Sequence, residues 1–407
     1  MTRNVDDVHS YDSGYENALI RLEKLTTSDK NKTLVEKFVR SCRRNELAKS
    51  TITNYINLLK RMIQRLEDIG YTDDLDKLDQ ETFDYLLFHL EDDCELSKGE
   101  IRNYKKCVKK FFKTIMDEDG VPRWVHDLKL KSIETPVQPS DLPTKEEVDA
   151  MLKACKNARD RAFLAILCDA GLRIGALASC RIKNVESNEY GSMIYISTTS
   201  RSKKTTPPKG LPLTWSSGYL QQWMALHPLR EDPEAPLWVT LTVKKEPISY
   251  NSIRVTLKRI AKRAGVTKNI HAHVFRHYAI TCWILDGLSE QMINFRAGWA
   301  KNSKQMYTIY ANFTDQEMND LVYEKYGLKT KDKRHVTLSN CPRCNNVLQE
   351  TDRFCSQCNL VLDHEMNNKM NEMKTKVPTG LSLLLSDPEV QALLAEKMGK
   401  ITTGTEI

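Results

Sequence analysis

Apolar residues return at the 3.6-residue period of an α-helix through most of the chain, and strict alternation is rare. One stripe is made by Ile52, Tyr55, Ile56, Leu59, Ile63 and Leu66, with Ser50 placed to cap the helix and Gly70 placed to end it. A second is made by Ile101, Tyr104, Val108, Phe111 and Ile115, and its opposite side carries Lys105, Lys106, Lys109, Lys110 and Lys113. Such a lysine run reads either as a solvated helix face or as a face that contacts phosphates. Thr144 and Glu147 form a capping box that predicts a further helix start. One β-hairpin is expected, with Met193–Ile196 as its first strand and residues 210–213 near its second, and helices resume at Tyr250 and run to about Tyr326.

The same pattern divides the chain. Residues 1–14 are polar and are expected to be disordered, and 15–127 make a helical domain. Residues 128–143 hold three prolines with little periodicity, which predicts a linker. A second domain spans 144–328, a cysteine-rich segment 338–363, and a tail 364–407 with a weak amphipathic stripe from Leu381 to Leu394. A length of 407 residues is too great for one core, in line with two domains plus appendages.

Charge and cysteine usage narrow the picture further. A net charge of +7 is compatible with nucleic-acid binding without establishing it. No apolar run reaches membrane-spanning length and the first residues lack a signal-peptide core, so a cytoplasmic protein is expected. Of eleven cysteines, Cys341, Cys344, Cys355 and Cys358 form two Cys-x-x-Cys knuckles ten residues apart. That spacing suits a tetrahedral Cys₄ zinc site with no open position, hence a structural Zn²⁺; redox disulfides are the alternative. The remaining seven are scattered through apolar patterns and read as buried thiols. Arg343 and Arg353 on the zinc segment are candidates for DNA contact, equally with partner binding, and His364 is a bystander.

Three segments of the second domain carry the chemistry. The first is Gly171-Leu172-Arg173-Ile174, an arginine just after a glycine turn. The second is His273-Val274-Phe275-Arg276-His277, which puts His273 and Arg276 on one helix face. The third is Gly298-Trp299 with Tyr307 and Tyr310 downstream. Taken singly, each has an ordinary explanation as a surface charge, a solvated or capping pair, or a core aromatic.

Together and in this order they resemble the tyrosine recombinase (phage integrase) family, over roughly residues 20–328. Gly-Trp-Ala-Lys-Asn-Ser-Lys and the trailing cysteines are similar to its archaeal members. The resemblance implies a mainly α fold: a helical core-binding (SAM-like) domain, a mixed α+β catalytic domain with a small β-hairpin or sheet, then a zinc ribbon. It implies a site-specific recombinase that cleaves and rejoins double-stranded DNA through a 3′-phosphotyrosine, as a homotetramer on two DNA sites, with no cofactor required for the chemistry. Arg173 and Arg276 match the phosphate-binding arginines, His273 the histidine that orients and activates the nucleophile, and Trp299 an N–H donor to the phosphate. Lys204 matches the hairpin proton donor, with Lys203 a near rival and Lys209 a distant one. Tyr310 matches the nucleophile, with Tyr307 as rival. The sequence departs from the family where Ala176 stands in place of a frequent acid, where Asn312 replaces a common histidine, and where Tyr310 falls eleven residues after Trp299 instead of nine or ten. A type IB topoisomerase-like enzyme and an inactive DNA-binding regulator are the alternative functions.

Overall fold

The computed structural model describes residues 4–131, 139–188, 190–196 and 209–299, together with positions 303, 306, 319, 320, 322, 323 and 326–328. The chain forms two compact units, His9–Pro136 and a second made of Met1–Val8 with Val137–Ile407, so the division falls inside the proline-bearing stretch.

The first unit is helical: α1 (Tyr11–Glu23), α2 (Asp29–Arg44), α3 (Lys49–Asp68), α4 (Gln80–Phe88), α5 (Lys98–Ile115) and α6 (Arg123–Asp127). The stripe read from sequence on α3 is buried throughout, as is that on α5. They close on Phe38 and Phe83, with the Phe38 ring 5.5 Å from both Tyr55 and Phe111. Gly70, at φ 83°, follows the end of α3 as expected. Ser50 does not cap that helix, however. The cap position is Ala48, and Ser50 lies in the first turn. A clearer start signal is at α5, where Ser97 and Glu100 form a reciprocal capping box. The α5 lysine face is of mixed character. Lys109 Nζ donates to the carbonyls of His126 (2.8 Å) and Leu128 (3.0 Å), so it holds the end of the unit, whereas Lys106 and Lys113 are exposed.

The second unit holds α7 (Lys145–Lys153), α8 (Ala158–Ala170), α9 (Ile174–Ala178), α10 (Ser217–Leu226), α11 (Tyr250–Arg263), α12 (Ala272–Leu285) and α13 (Glu290–Ala297). The Thr144–Glu147 capping box opens α7. Helix α8 is buried on every side from Ala162 to Ala170 and is packed by α10 and α12; its all-round apolar run is what a central helix requires. The sheet has three antiparallel strands, not one hairpin: β1 (Val185–Asn188), β2 (Gly191–Ile196) and β3 (Lys209–Pro212), in that order, with Val185 opposite Ile194 and Met193 opposite Pro212. β1 escaped the sequence reading because Val-Glu-Ser-Asn offers one β-branched residue and no alternation.

The disorder expected for residues 1–14 is also corrected from residue 4 onward. Val5 and Val8 are buried, Val8 joins the core of the second unit, and its carbonyl accepts from Tyr250 N at 3.0 Å. Asp6 adds an ion pair with Arg181 at 3.3 Å, and α1 already begins at Tyr11. Two valines in a polar stretch are too few to register as a period, yet two buried side chains and one backbone bond are enough to dock a short terminus.

The connection from α8 to α9 is the tightest turn in the second unit. Gly171 ends α8 in the left-handed region at φ 55°, and a Cβ there would meet Trp283 Cη2 at 2.9 Å and Ala279 Cβ at 3.1 Å. Gly171→Ala therefore adds a strained backbone to an overpacked contact, and should lower stability by on the order of 2–4 kcal/mol in urea unfolding. A loss below about 0.5 kcal/mol would show that the turn relaxes freely.

Candidate active site

Three helix ends meet in the second unit. Helix α8 ends at Gly171, and Arg173 is the N-cap residue of α9, its extended backbone (φ −62°, ψ 134°) directing the chain out of the turn. Helix α12 begins after His271, which places His273 and Arg276 in its first two turns. Helix α13 ends in a left-handed Gly298 (φ 65°), where Gly298 N donates to Phe295 O (3.2 Å) and Trp299 N to Asn294 O (3.0 Å). That paired closure is a Schellman motif, and it fixes where Trp299 leaves the helix.

Arg276 joins these ends. Its side chain is buried, with Nη1 donating to Gly171 O at 2.7 Å and Nη2 to Ala297 O at 2.5 Å. Both acceptors are carbonyls at helix C-termini, where unsatisfied C=O groups carry partial negative charge. Trp299 lies against the same guanidinium, with Cζ 5.7 Å from the ring centre. Burial, followed by the neighbouring positive charge of Arg173, lowers the Arg276 pKa to about 9, which still leaves it protonated at neutral pH. Arg173 is half-buried, and that burial also lowers its pKa. Two guanidiniums thus share one region with neutral carbonyls holding the inner one, an arrangement that favours an incoming anion.

His273 stands over this pair. Its ring packs edge-on against His277 at 4.6 Å. Loss of hydration comes first, and the like charges of His277, Arg276, His271 and Arg173 add to it, bringing its pKa down to about 4 although part of the side chain stays open to solvent. The imidazole is therefore neutral at physiological pH and available as a proton acceptor.

Sequence reasoning missed the support beneath. Ala176 is fully buried and supplies no carboxylate. Asp169, 2% exposed, accepts instead from Thr214 N (2.7 Å), Thr214 Oγ1 (2.5 Å), Ser216 Oγ (2.6 Å) and Arg296 Nη2 (3.3 Å). A carboxylate inside the otherwise apolar run Phe163–Ala170 was the available signal, since a buried acid must be paired.

The structure brings Arg173, His273, Arg276 and Trp299 together. Lys203 and Lys204, Tyr307 and Tyr310, and Cys341, Cys344, Cys355 and Cys358 lie outside the described residues, and of Lys209 only the backbone, in β3, is described. Among the described residues no cluster of three or more His, Cys, Asp or Glu could hold a metal, and no helix is long and apolar enough to cross a membrane.

Residues 143–317 match the phage integrase family, and residues 34–120 match the SAM-like N-terminal domain of phage integrases. The chain belongs to the phage integrase family. The tyrosine recombinase XerC of Yersinia pestis is 29% identical over 154 residues, covering 36% of this chain and 48% of XerC. The chain spans about half the length of the first curated relatives it matches. The fold is shared with the Tn1549 transposon integrase in complex with circular intermediate DNA, at TM-score 0.54 and 16% identity over 70% of this chain and 97% of that one. It is shared also with a lambda integrase tetramer bound to a Holliday junction, at TM-score 0.54 and 12% identity over 68% and 76%.

In the DNA-free protein the His273 imidazole should titrate with a midpoint near 4, well below the ordinary histidine value of about 6.5, as followed by NMR. Because the folded state resists the proton, the unfolded chain takes it up first, and this group's contribution to stability is lost as pH falls from about 6.5 toward 4. A midpoint at or above 6.5 would contradict the crowding of cations described here.

Proposed function

We propose that the chain is a site-specific DNA recombinase that cleaves and rejoins duplex DNA through a covalent 3′-phosphotyrosine. The observation that carries this reading is the joining of Arg276, Arg173 and Trp299 around a neutral His273 in a phage-integrase fold. Attack on a phosphodiester puts extra negative charge on the non-bridging oxygens, and Arg173 and Arg276 are placed to receive it. His273 accepts the tyrosine proton, which a group of free pKa about 10 otherwise keeps. Tyr310 is the proposed nucleophile: its Oη–P bond forms as the bond to the 5′-oxygen breaks, and Lys204 protonates the leaving oxygen. Rejoining reverses these steps, and since the phosphotyrosine retains the bond energy, neither ATP nor catalytic metal is needed. Trp299 donates its indole N–H to the phosphate.

On this reading both units contact duplex DNA, four copies act on two sites, and the enzyme works in the cytoplasm. The archaeal character of the Gly-Trp-Ala-Lys-Asn-Ser-Lys segment and the zinc ribbon at 338–363 belong to the same proposal. Four thiolates in two knuckles suit Zn²⁺, and a segment this short needs the metal's contribution of about 10–16 kcal/mol to fold. Metal analysis of the purified chain should give one zinc per copy, with none in Cys341→Ser; zinc retained in full by that variant would refute the assignment.

The covalent step is read directly with a nicked suicide duplex in which the cleaved 5′ fragment diffuses away. The chain should form a protein–DNA adduct in the presence of chelator, and Tyr310→Phe should reduce it below detection while leaving DNA affinity within about threefold, because a hydroxyl is removed and no phosphate contact is lost. Adduct lost only in Tyr307→Phe reassigns the nucleophile. No adduct from the parent chain indicates a DNA-binding regulator, and adduct with relaxation but no recombinant product indicates a topoisomerase-like enzyme.

A further inference from the structure

Beneath the arginine cluster lies a buried ion pair that none of the family's functions above requires. Asp169 Oδ1 and Arg296 Nη2 are 3.3 Å apart, with side chains 2% and 10% exposed. Arg296 reaches further: Nη2 also donates to Asp169 O at 3.1 Å, Nη1 to Pro212 O at 3.3 Å, and the guanidinium stacks over Trp283 at 4.8 Å. Trp283 in turn donates its indole N–H to Asp169 O at 3.0 Å. The Asp169 carboxylate holds Thr214 and Ser216 on the segment that follows β3.

The positions of these groups along the chain give the pair its meaning. Asp169 is two residues before Gly171, and Arg296 is one residue before Ala297. Gly171 O and Ala297 O are the two acceptors that hold Arg276. The pair thus ties together the backbone on both sides of the Arg276 cradle and fastens it to the end of β3, the strand that leads away from the hairpin lysines. A carboxylate at 176 is absent, and Ala176 is packed at that position without a polar atom on its side chain.

We infer that Asp169 and Arg296 are positioning residues for strand cleavage: they hold the two helix C-termini whose carbonyls aim the Arg276 guanidinium at the scissile phosphate, doing from beneath what an acid three residues after Arg173 does not do here. This rests on the reading of Arg276 as a phosphate clamp. Neither residue touches DNA, so both act on the rate of the chemical step and not on affinity. Charge on Arg296 is not sufficient, because its several acceptors require the planar fork of a guanidinium.

Arg296→Lys is the sharpest variant, with Asp169→Asn as a second that keeps the shape of the buried site. With saturating suicide duplex, each should slow single-turnover adduct formation by about 10- to 100-fold while changing DNA affinity less than about threefold, with cooperative unfolding retained. Combined with Arg276→Ala, Arg296→Lys should slow the residual reaction by less than about twofold, because the group it positions is already gone. Losses that multiply in the double variant, or a loss carried by affinity, would overturn the proposal. A readout free of catalysis accompanies these rates. In the DNA-free parent chain the two Nη groups of Arg276 should give separate, slowly exchanging ¹⁵N signals, and Arg296→Lys and Asp169→Asn should merge them. Unchanged signals in both variants would overturn the positioning role whether or not the parent cleaves DNA, whereas merged signals with no adduct from the parent would count against strand cleavage alone.

Discussion

Burying a guanidinium without a carboxylate partner is costly, and the second unit is organised around one that it does bury. Arg276 spends its inner N–H groups on Gly171 O and Ala297 O, two carbonyls at the C-terminal ends of different helices. Partial charges of that kind satisfy the donors without neutralising the cation. A carboxylate in their place would cancel the charge and lower the attraction for phosphate. The left-handed glycines at 171 and 298 follow from this constraint, since each ends its helix abruptly enough to leave a carbonyl facing the same arginine or to deliver Trp299 beside it.

The same constraint accounts for the electrostatics around it. Arg173 and Arg276 lower one another's readiness to hold a proton, and with the histidines they depress His273 to about 4. A site crowded with like charge is strained when empty and relieved by an anion. The negative group is instead placed one layer down, at Asp169, where it is saturated by Thr214, Ser216 and Arg296 and holds backbone in place. Separation of the clamp from its counter-charge is what allows a firm scaffold and an anion-hungry surface in the same few turns.

Much of the fold was legible in the sequence because long helices repeat their apolar stripe many times, as on α3 and α5, where every expected core position is buried. What escaped was short or carried by few residues. The strand β1 shows no alternation, Val5 and Val8 dock a terminus that composition reads as loose, and Ala48 occupies a cap position that Ser50 suggested for itself. At the site, Arg173, His273, Arg276 and Trp299 were readable because the chemistry restricts residue type and order. Asp169 and Arg296 were not, because their role depends on contacts across more than a hundred residues of sequence, which no local pattern encodes. Lys204, Tyr310 and the four cysteines lie outside the described residues, and their roles rest on motif chemistry.

The central claim, that Arg276 is a charged clamp for the scissile phosphate, is tested most directly by a suicide duplex whose scissile phosphate is replaced by a neutral methylphosphonate. With the natural phosphate, Arg276→Ala should slow adduct formation by a factor of at least about 10³, in line with the removal of a preorganised transition-state contact. With the methylphosphonate there is less charge to neutralise, and the account predicts that the same substitution costs less than about tenfold. An equal loss on both substrates would contradict it, because Arg276 would then be needed for the fold of the site and not for the charge on the phosphate.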